Sequence, residues 1–278
     1  MMHSNHRSIK NAIKVLQSDC VNRICIRLSQ SHIMKLRSLI SFAPIALAAV
    51  LPSARAALAY TGGHGDVGVA YEGPGDLHFH LHLGETGDPA TVDGLPVVEG
   101  EYEPADIDIT VPAAGEIVLG SAVSFLGATS GQSIWLLPAS ASGADAIGAP
   151  FLGWATEELN PADWVGNITF TLNFVNAPGG SGNFAVWQTD GLGAVSNLAM
   201  STADPGADVL EQAAGVHDHY NMAFTKAGLW EIGITVSGTH VTDGFVSDSG
   251  TLRFDVVPEP SAALLGGLGL LAMFRRRR

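Results

Sequence analysis

Residues 77–83 have the sequence LHFHLHL, a strict alternation of apolar residues and histidine. A period of two is typical of a β-strand that turns one face toward a core and the other away from it. The apolar residues are therefore expected in a core, with His78, His80 and His82 in a row on the opposite face. Because successive histidines in this row lie about 6.6 Å apart, neighbours can share one metal ion, whereas His78 and His82 cannot.

A second pair with the same spacing, His217 and His219, lies far downstream, and the two stretches hold five of the ten histidines. We predict that they meet in space and bind zinc or another divalent transition metal. Imidazole and carboxylate ligands without thiolate suit zinc, copper, nickel or manganese. His64 and Asp66 can join them if their strand pairs with the first stretch, and His240 is a further candidate. The alternative is that the histidines are ordinary polar residues on exposed strands.

The pattern of short apolar stretches between turn residues predicts an all-β fold. Glycine (33) and proline (14) are abundant, which favours many strands joined by turns. We expect an antiparallel β-sandwich, immunoglobulin-like or jelly-roll-like, with a hairpin turn at residues 73–75. Residues 84–105 are interpreted as a surface loop and residues 203–214 as helix-like. The strand candidates are residues 66–71, 77–83, 107–111, 116–119, 133–137, 166–176, 183–189, 219–224, 229–237 and 251–256.

Residues 34–59 are interpreted as a secretory signal peptide. Two basic residues follow Met34, the apolar region spans residues 39–51, and small residues come next. This order predicts cleavage by signal peptidase after Ala56 or Ala59.

The segment before Met34 differs from the rest of the chain. Residues 1–33 are basic, show no clear period and contain both cysteines, Cys20 and Cys25. We interpret them as a spurious or disordered extension; the alternative is a long n-region of the signal peptide. The β-sandwich surface domain is predicted over residues 60–256. Since it lacks cysteine, disulfides, thiolate metal sites and cysteine nucleophiles are excluded there.

Residues 257–278 have the order of a sorting signal. Pro258, Glu259 and Pro260 precede an apolar stretch at residues 261–274 and four arginines. The apolar stretch is short for a membrane span of about 20 residues, and the arginines favour a cytoplasmic end. The segment resembles PEP-CTERM sorting signals. That resemblance implies processing by an exosortase-type enzyme and a membrane-tethered intermediate in a Gram-negative envelope. It also implies delivery to the cell surface or extracellular matrix. A permanent short anchor is the alternative.

The predicted body is strongly acidic. Between residues 57 and 257, two basic residues stand against 25 acidic ones, a net charge of −23. Such a surface repels phosphates, so nucleic-acid binding is excluded. The charge suits a secreted protein kept soluble by self-repulsion, or one that attracts cations.

Two segments of the body resemble the choice-of-anchor M domain, a family of surface-anchored bacterial proteins. Residues 63–69 (GHGDVGV) are similar to that family's GHxDxG start. Residues 217–230 are similar to its HxHxNxxFTxxGxY segment, with Trp230 in place of the tyrosine. The resemblance implies a surface domain with interchangeable anchors, in a group associated with metal-type ABC transporters. An aromatic residue at position 230 is expected to anchor the start of a strand in the core. The resemblance carries over no catalytic residue.

No sequence motif of a nucleotide-binding loop, a hydrolase nucleophile elbow or a zinc protease is present. We therefore expect an exported, non-enzymatic surface protein that binds a metal, processed by signal peptidase and an exosortase-type enzyme. A structural or adhesive matrix protein that contacts exopolysaccharide is the alternative, and a hydrolase with metal-bound water is the third hypothesis. The tryptophans are expected to be core anchors rather than a sugar-stacking platform.

Overall fold

The computed structural model describes residues 56–259. The predictions for residues 1–33, for residues 34–55 of the signal peptide and for the apolar sorting helix from Pro260 onward lie outside the described residues. Within the described part of the chain, no helix combines the length and apolar character needed to cross a bilayer.

Strands dominate the described residues. They are β1 (Leu58–Gly73), β2 (Asp76–Leu83), β3 (Ala90–Val92), β4 (Leu95–Val97), β5 (Gly100–Tyr102), β6 (Ile107–Val111), β7 (Glu116–Val118), β8 (Ser133–Leu137), β9 (Pro150–Ala155), β10 (Asn167–Asn176), β11 (Phe184–Thr189), β12 (Val195–Ser201), β13 (Val209–Ala213), β14 (His217–His219), β15 (Asn221–Phe224), β16 (Gly228–His240) and β17 (Gly244–Val256). One short α-helix, α1 (Ala141–Ile147), begins after Ser140, whose side chain accepts a hydrogen bond from the Gly143 amide. Single 3-10 turns lie at Pro104–Asp106, Ala113–Gly115, Ser124–Leu126, Pro161–Asp163 and Pro178–Gly180.

The strands form two sheets around a shared core. The larger sheet has the order β13-β10-β16-β17-β6-β1-β2-β5, with β9 and β3 also pairing with β1, and the smaller has the order β12-β11-β15-β8-β7. Buried side chains of both sheets belong to one hydrophobic cluster. The prediction of an all-β sandwich is confirmed. The larger sheet is mixed rather than purely antiparallel, because β1 runs parallel to β6 and β9, and β6 also runs parallel to β17.

All five tryptophans are buried, with exposed fractions of 9% or less. They therefore pack as core anchors, as the sequence predicts. The expectation for Trp230 holds: it is fully buried two residues after β16 begins.

The hairpin of β1 and β2 is confirmed, with Ala70 opposite His78 and Asp66 opposite His82. The apolar side chains within the segment 77–83 are buried, as expected. β1 also pairs in parallel with β9, and β9 pairs with β14, so β2, β1, β9 and β14 lie side by side. His82, Asp66, Gly153 and His219 occupy one row across these four strands. Directly opposite residues share a face of the sheet, and this places the predicted ligands on one face.

Two local predictions are wrong. Residues 203–214 contain the edge strand β13 rather than a helix, because Leu210 and Gln212 are buried where β13 pairs with β10. Residues 84–105 are not a continuous loop, since β3, β4 and β5 lie within them. Asp93 and Gly94 have φ of 50° and 74°, which is typical of the two-residue turn that Asp-Gly favours between antiparallel strands.

The start of β1 distinguishes the two predicted signal-peptide cleavage points. The Ala59 amide donates to Asp93 Oδ1 at 2.8 Å, and the Ala59 carbonyl accepts from the Asp93 amide at 2.8 Å. Leu58 and Ala59 also pair with β6. Cleavage after Ala59 would remove these contacts, so we expect cleavage after Ala56 and an N-terminal Ala57. Intact-mass measurement of the exported protein checks this, and an N-terminal Tyr60 would contradict it.

Candidate metal centre

Four side chains with metal-ligating atoms converge where β9 lies between β1 and β14. His64 and Asp66 come from β1, and His217 and His219 come from β14. One ligand atom from each lies within 4.8 Å of all the others. We call this group the Asp66 cluster. It brings together residues from two distant parts of the sequence, both of which the spacing of histidine and aspartate predicts as ligands.

The distances within the Asp66 cluster match the reach of a single ion. Asp66 Oδ1 lies 2.9 Å from His217 Nε2, and His217 Nε2 lies 2.9 Å from His219 Nε2. Asp66 Oδ2 lies 3.7 Å from His64 Nε2. A tetrahedral zinc ion with bonds of about 2.0–2.1 Å holds its ligand atoms about 3.3 Å apart. Small side-chain shifts would therefore bring three imidazoles and one carboxylate onto one ion.

Gly153 of β9 forms the floor of this cluster. It is the residue opposite both Asp66 and His219 in the strand register. A Cβ atom added at Gly153 would lie 2.2 Å from Asp66 Oδ1 and 2.7 Å from His217 Nε2. Since real Cβ atoms do not approach so closely, the ligand atoms occupy the space that any other residue would fill.

Substitution of this floor gives a first prediction for the site. We expect Gly153→Ala to lower zinc affinity by about tenfold to a hundredfold, the cost typical of disturbing the support of a metal ligand, because the methyl group displaces Asp66 and His217. The control is Gly62→Ala on the same strand as Asp66, where an added Cβ meets nothing within 4 Å. Competition titration with a zinc indicator measures both variants, and equal affinities would contradict the prediction.

The protonation behaviour of the cluster follows from burial and the Asp66 charge. Interaction with the Asp66 carboxylate raises the pKa of His217, and burial only partly opposes this. Burial, together with the nearby His217, lowers the pKa of His219 to about 4. Asp66 Oδ1 is buried, and within residues 56–259 no well-aligned hydrogen bond reaches it, although His217 Nε2 lies 2.9 Å away. The carboxylate therefore faces a position that suits a positive charge, either a protonated His217 or a metal ion.

Packing fixes the ring of His219. Phe151 of β9 stacks on it with ring centroids 3.6 Å apart and planes within 4°. The His219 carbonyl accepts a hydrogen bond from Gln188 of the smaller sheet. His64 also contacts Phe151, with centroids 5.6 Å apart. One aromatic ring thus packs against two of the three imidazoles of the Asp66 cluster.

A second group lies on β2 and on the turn after β9. His80 Nε2 lies 3.0 Å and His82 Nδ1 lies 3.4 Å from the same oxygen, Glu158 Oε1. One ligand atom from each of the three residues lies within 4.8 Å of the others. We call this trio the Glu158 group. Burial lowers the pKa of His80, but the hydrogen bond and charge of Glu158 outweigh it and give a net rise, while His80 lowers the pKa of Glu158.

The structure divides the predicted ligands into two groups rather than placing them around one shared ion. β2 and β14 are separated by β1 and β9. At about 4.8 Å per strand, they lie about 14 Å apart. His80 and His82 on β2 therefore meet Glu158, and His217 and His219 on β14 meet the side chains of β1.

Two predicted candidates belong to neither group. His78 lies beside Glu72 and Glu103, at 3.0 Å and 3.5 Å, with about a quarter of its side chain exposed. His240 stacks on Tyr71, with ring centroids 4.4 Å apart, and Nδ1 lies 3.6 Å from Asp243 Oδ2. Neither residue shares a metal-ligating group in the described part of the chain.

The periodic pattern of the sequence does not indicate Glu158 or the two glycines beneath the ligands, Gly153 and Gly68. Glu158 is 78 residues from His80 and lies in a turn, where no period indicates which way a side chain points. Gly153 lies in an apolar strand, and Gly68 lies opposite His80. Glycine within a strand is a signal of close approach by another group, and it is the one sequence feature that could have found both positions.

Comparison with known proteins bears on the tail of the chain. The PEP-CTERM protein-sorting motif matches residues 256–278, which confirms the sequence prediction there. The chain is thus exported and processed by an exosortase-type enzyme during membrane-associated sorting to the cell surface. No curated protein and no solved structure matches the chain. The resemblance of the body to choice-of-anchor M domains stays a prediction.

Proposed function

We propose that this exported protein binds zinc or another divalent transition metal at the Asp66 cluster, as a surface or matrix domain of the choice-of-anchor M type. The observation that carries the proposal is the convergence of three imidazoles and one carboxylate over a glycine floor. Side chains of this kind, without thiolate, suit zinc, copper, nickel or manganese. With four protein ligands around the ion, the site would hold or present metal rather than activate water.

The burial of the cluster supports a metal over chance proximity. The side chains of His64 and Asp66 are 6% and 5% exposed. A buried carboxylate is costly unless it is paired with a cation or with hydrogen-bond donors. His217 Nε2 lies 2.9 Å from Asp66 Oδ1, but the two atoms do not form a well-aligned hydrogen bond. A divalent ion bound by Asp66 and the three histidines would compensate this buried charge more fully than a protonated His217 does.

Metal analysis tests the proposal directly. Purified protein is incubated with zinc, passed over a desalting column, and assayed for zinc per chain. We expect at least one zinc ion per chain, and cobalt substitution should give the intense visible bands of four-coordinate Co²⁺. A protein that retains neither metal would overturn the proposal and favour the structural or adhesive alternative.

Proton competition gives a prediction about pH. Zinc needs deprotonated imidazoles, and the raised pKa of His217 lets protons compete there at higher pH than at an ordinary histidine. Zinc affinity should therefore fall as the pH falls through the range of about pH 8 to 5 in which histidines take up a proton. His219, with its pKa lowered to about 4, stays deprotonated over this range. Zinc content after equilibration at each pH is the measurement, with circular dichroism as the control for folding. A zinc content independent of pH would contradict the prediction.

A further inference from the structure

The Glu158 group is a candidate site beside the Asp66 cluster, on the same face of the larger sheet. His80 is fully buried, and Glu158 Oε1 is the nearest charged atom to its Nε2, at 3.0 Å. His82 Nδ1 approaches the same oxygen at 3.4 Å. Two ring nitrogens thus converge on one carboxylate oxygen.

The backbone contact of His80 defines what can lie between its ring and Glu158. His80 Nδ1 lies 3.4 Å from the His78 carbonyl oxygen, which can only accept a hydrogen bond, so this contact favours a proton on Nδ1. In the neutral ring with that tautomer, Nε2 presents a lone pair to the Glu158 carboxylate, whereas the other neutral tautomer would donate a hydrogen bond to it. Two lone pairs at 3.0 Å repel unless a cation, either a proton or a metal ion, lies between them. An imidazole whose other nitrogen donates to a backbone carbonyl is the usual arrangement of a metal-bound histidine.

The fold positions both Gly68, which lies beneath the Glu158 group, and the turn that carries Glu158 above it. An added Cβ at Gly68, opposite His80 on β1, would lie 3.0 Å from His80 Nε2. Glu158 projects from the turn that begins at Thr156. The Thr156 hydroxyl donates to the Ala213 carbonyl at 2.6 Å, and the Thr156 amide donates to the Val216 carbonyl at 2.8 Å. Hydrogen bonds to Ala213 and Val216 therefore anchor the first residue of the turn that carries Glu158.

The Glu158 group differs from the Asp66 cluster in ligand number and exposure. It has three ligands, and the side chains of His82 and Glu158 are 25% and 31% exposed. A site with three protein ligands leaves a coordination position for water or an incoming ligand. We propose that His80, His82 and Glu158 form a second site for a divalent transition metal, open to solvent and faster to exchange than the Asp66 cluster. This inference does not depend on the function proposed above.

Zinc stoichiometry and release kinetics of the purified protein test the inference. Zinc-loaded protein is mixed with excess pyridylazoresorcinol, a chromophoric chelator, and zinc release is followed over time. The wild type is expected to release two ions per chain in a fast and a slow phase. His82→Ala and Glu158→Gln, which leave the buried His80 in place, should each lose the fast phase and keep the slow one. The matched control is His78→Ala, which removes a histidine of similar exposure on the same strand and face; it should keep both phases.

A double variant, His217→Ala with His219→Ala, separates this inference from the proposed function. If the double variant loses only the slow phase, the result supports both the second metal site and the proposed function. If the wild type binds one ion, and this ion is lost in the double variant but kept in His82→Ala, the second site is overturned and the proposed function still holds. A single ion lost in His82→Ala, but kept in the double variant, supports the Glu158 group and overturns the Asp66 cluster. Two ions retained in both His82→Ala and Glu158→Gln would also overturn the inference.

Discussion

Replacing His217 and His219 together with alanine is expected to lower zinc affinity at the Asp66 cluster by more than a hundredfold. Substitution of residues that merely support a ligand costs about tenfold to a hundredfold, and here two of the four ligands are removed. The remaining pair, His64 and Asp66, have ligand atoms 3.7 Å apart and would leave half of a tetrahedral shell to solvent. Competition titration against a zinc indicator measures the change.

The matched control for this variant is His240→Ala. His240 is a histidine of the same sheet that packs against Tyr71 and Trp164 instead of joining a ligand group. It should bind zinc with wild-type affinity. If the double variant binds zinc as tightly as the wild type and the control, the Asp66 cluster is not a metal site. Chemical denaturation of the metal-free proteins shows whether any loss of binding reflects unfolding.

Trp230→Ala is expected to cost about 3–5 kcal/mol of unfolding free energy, the range typical of truncating a buried aromatic residue. Trp230 is fully buried on β16 and packs edge-on against Phe224 of the smaller sheet, with ring centroids 5.4 Å apart. Its Nε1 donates to the Lys226 carbonyl at 3.0 Å. The substitution leaves a cavity between the sheets and an unpaired carbonyl. Chemical denaturation of the metal-free protein measures the change.

The neighbouring Leu229 supplies the control for this prediction. Leu229 is 43% exposed, so Leu229→Ala should change the unfolding free energy by about 0.5 kcal/mol or less. Equal losses in the two variants would mean that the contact between the sheets at Trp230 does not stabilise the fold as described.

The sequence predicts only those parts of the candidate site that depend on local periodicity. The alternation of residues 77–83 predicts which face carries the histidines, and the adjacent turn predicts the pairing of β1 with β2, which brings Asp66 beside His82. The parallel insertion of β9 between β1 and β14 cannot be read from any local pattern. That insertion separates the two histidine pairs and creates two groups where the sequence suggests one.

The misassigned segments have a similar physical origin. Residues 203–214 carry local features of a helix, but burial of Leu210 and Gln212 beside β10 outweighs that weak preference. Glu158 is placed by a turn anchored through Thr156, a tertiary contact without a sequence signature. In contrast, the burial of Trp230 is predicted correctly, because a large aromatic side chain at the start of an alternating strand usually packs in the core.

The end of β17 limits how the enzyme that recognises the sorting motif can approach it. β17 ends at Val256, and the Val257 amide still donates to the Val111 carbonyl, so Pro258 follows the last tethered residue directly. Peeling β17 away would break a thirteen-residue pairing with β16. The enzyme must therefore receive the motif at the rim of a folded body. With about 3.5 Å of chain per residue, Pro258 lies only about one residue length beyond the tethered Val257, so the enzyme has to bind the motif close to the surface of the sandwich.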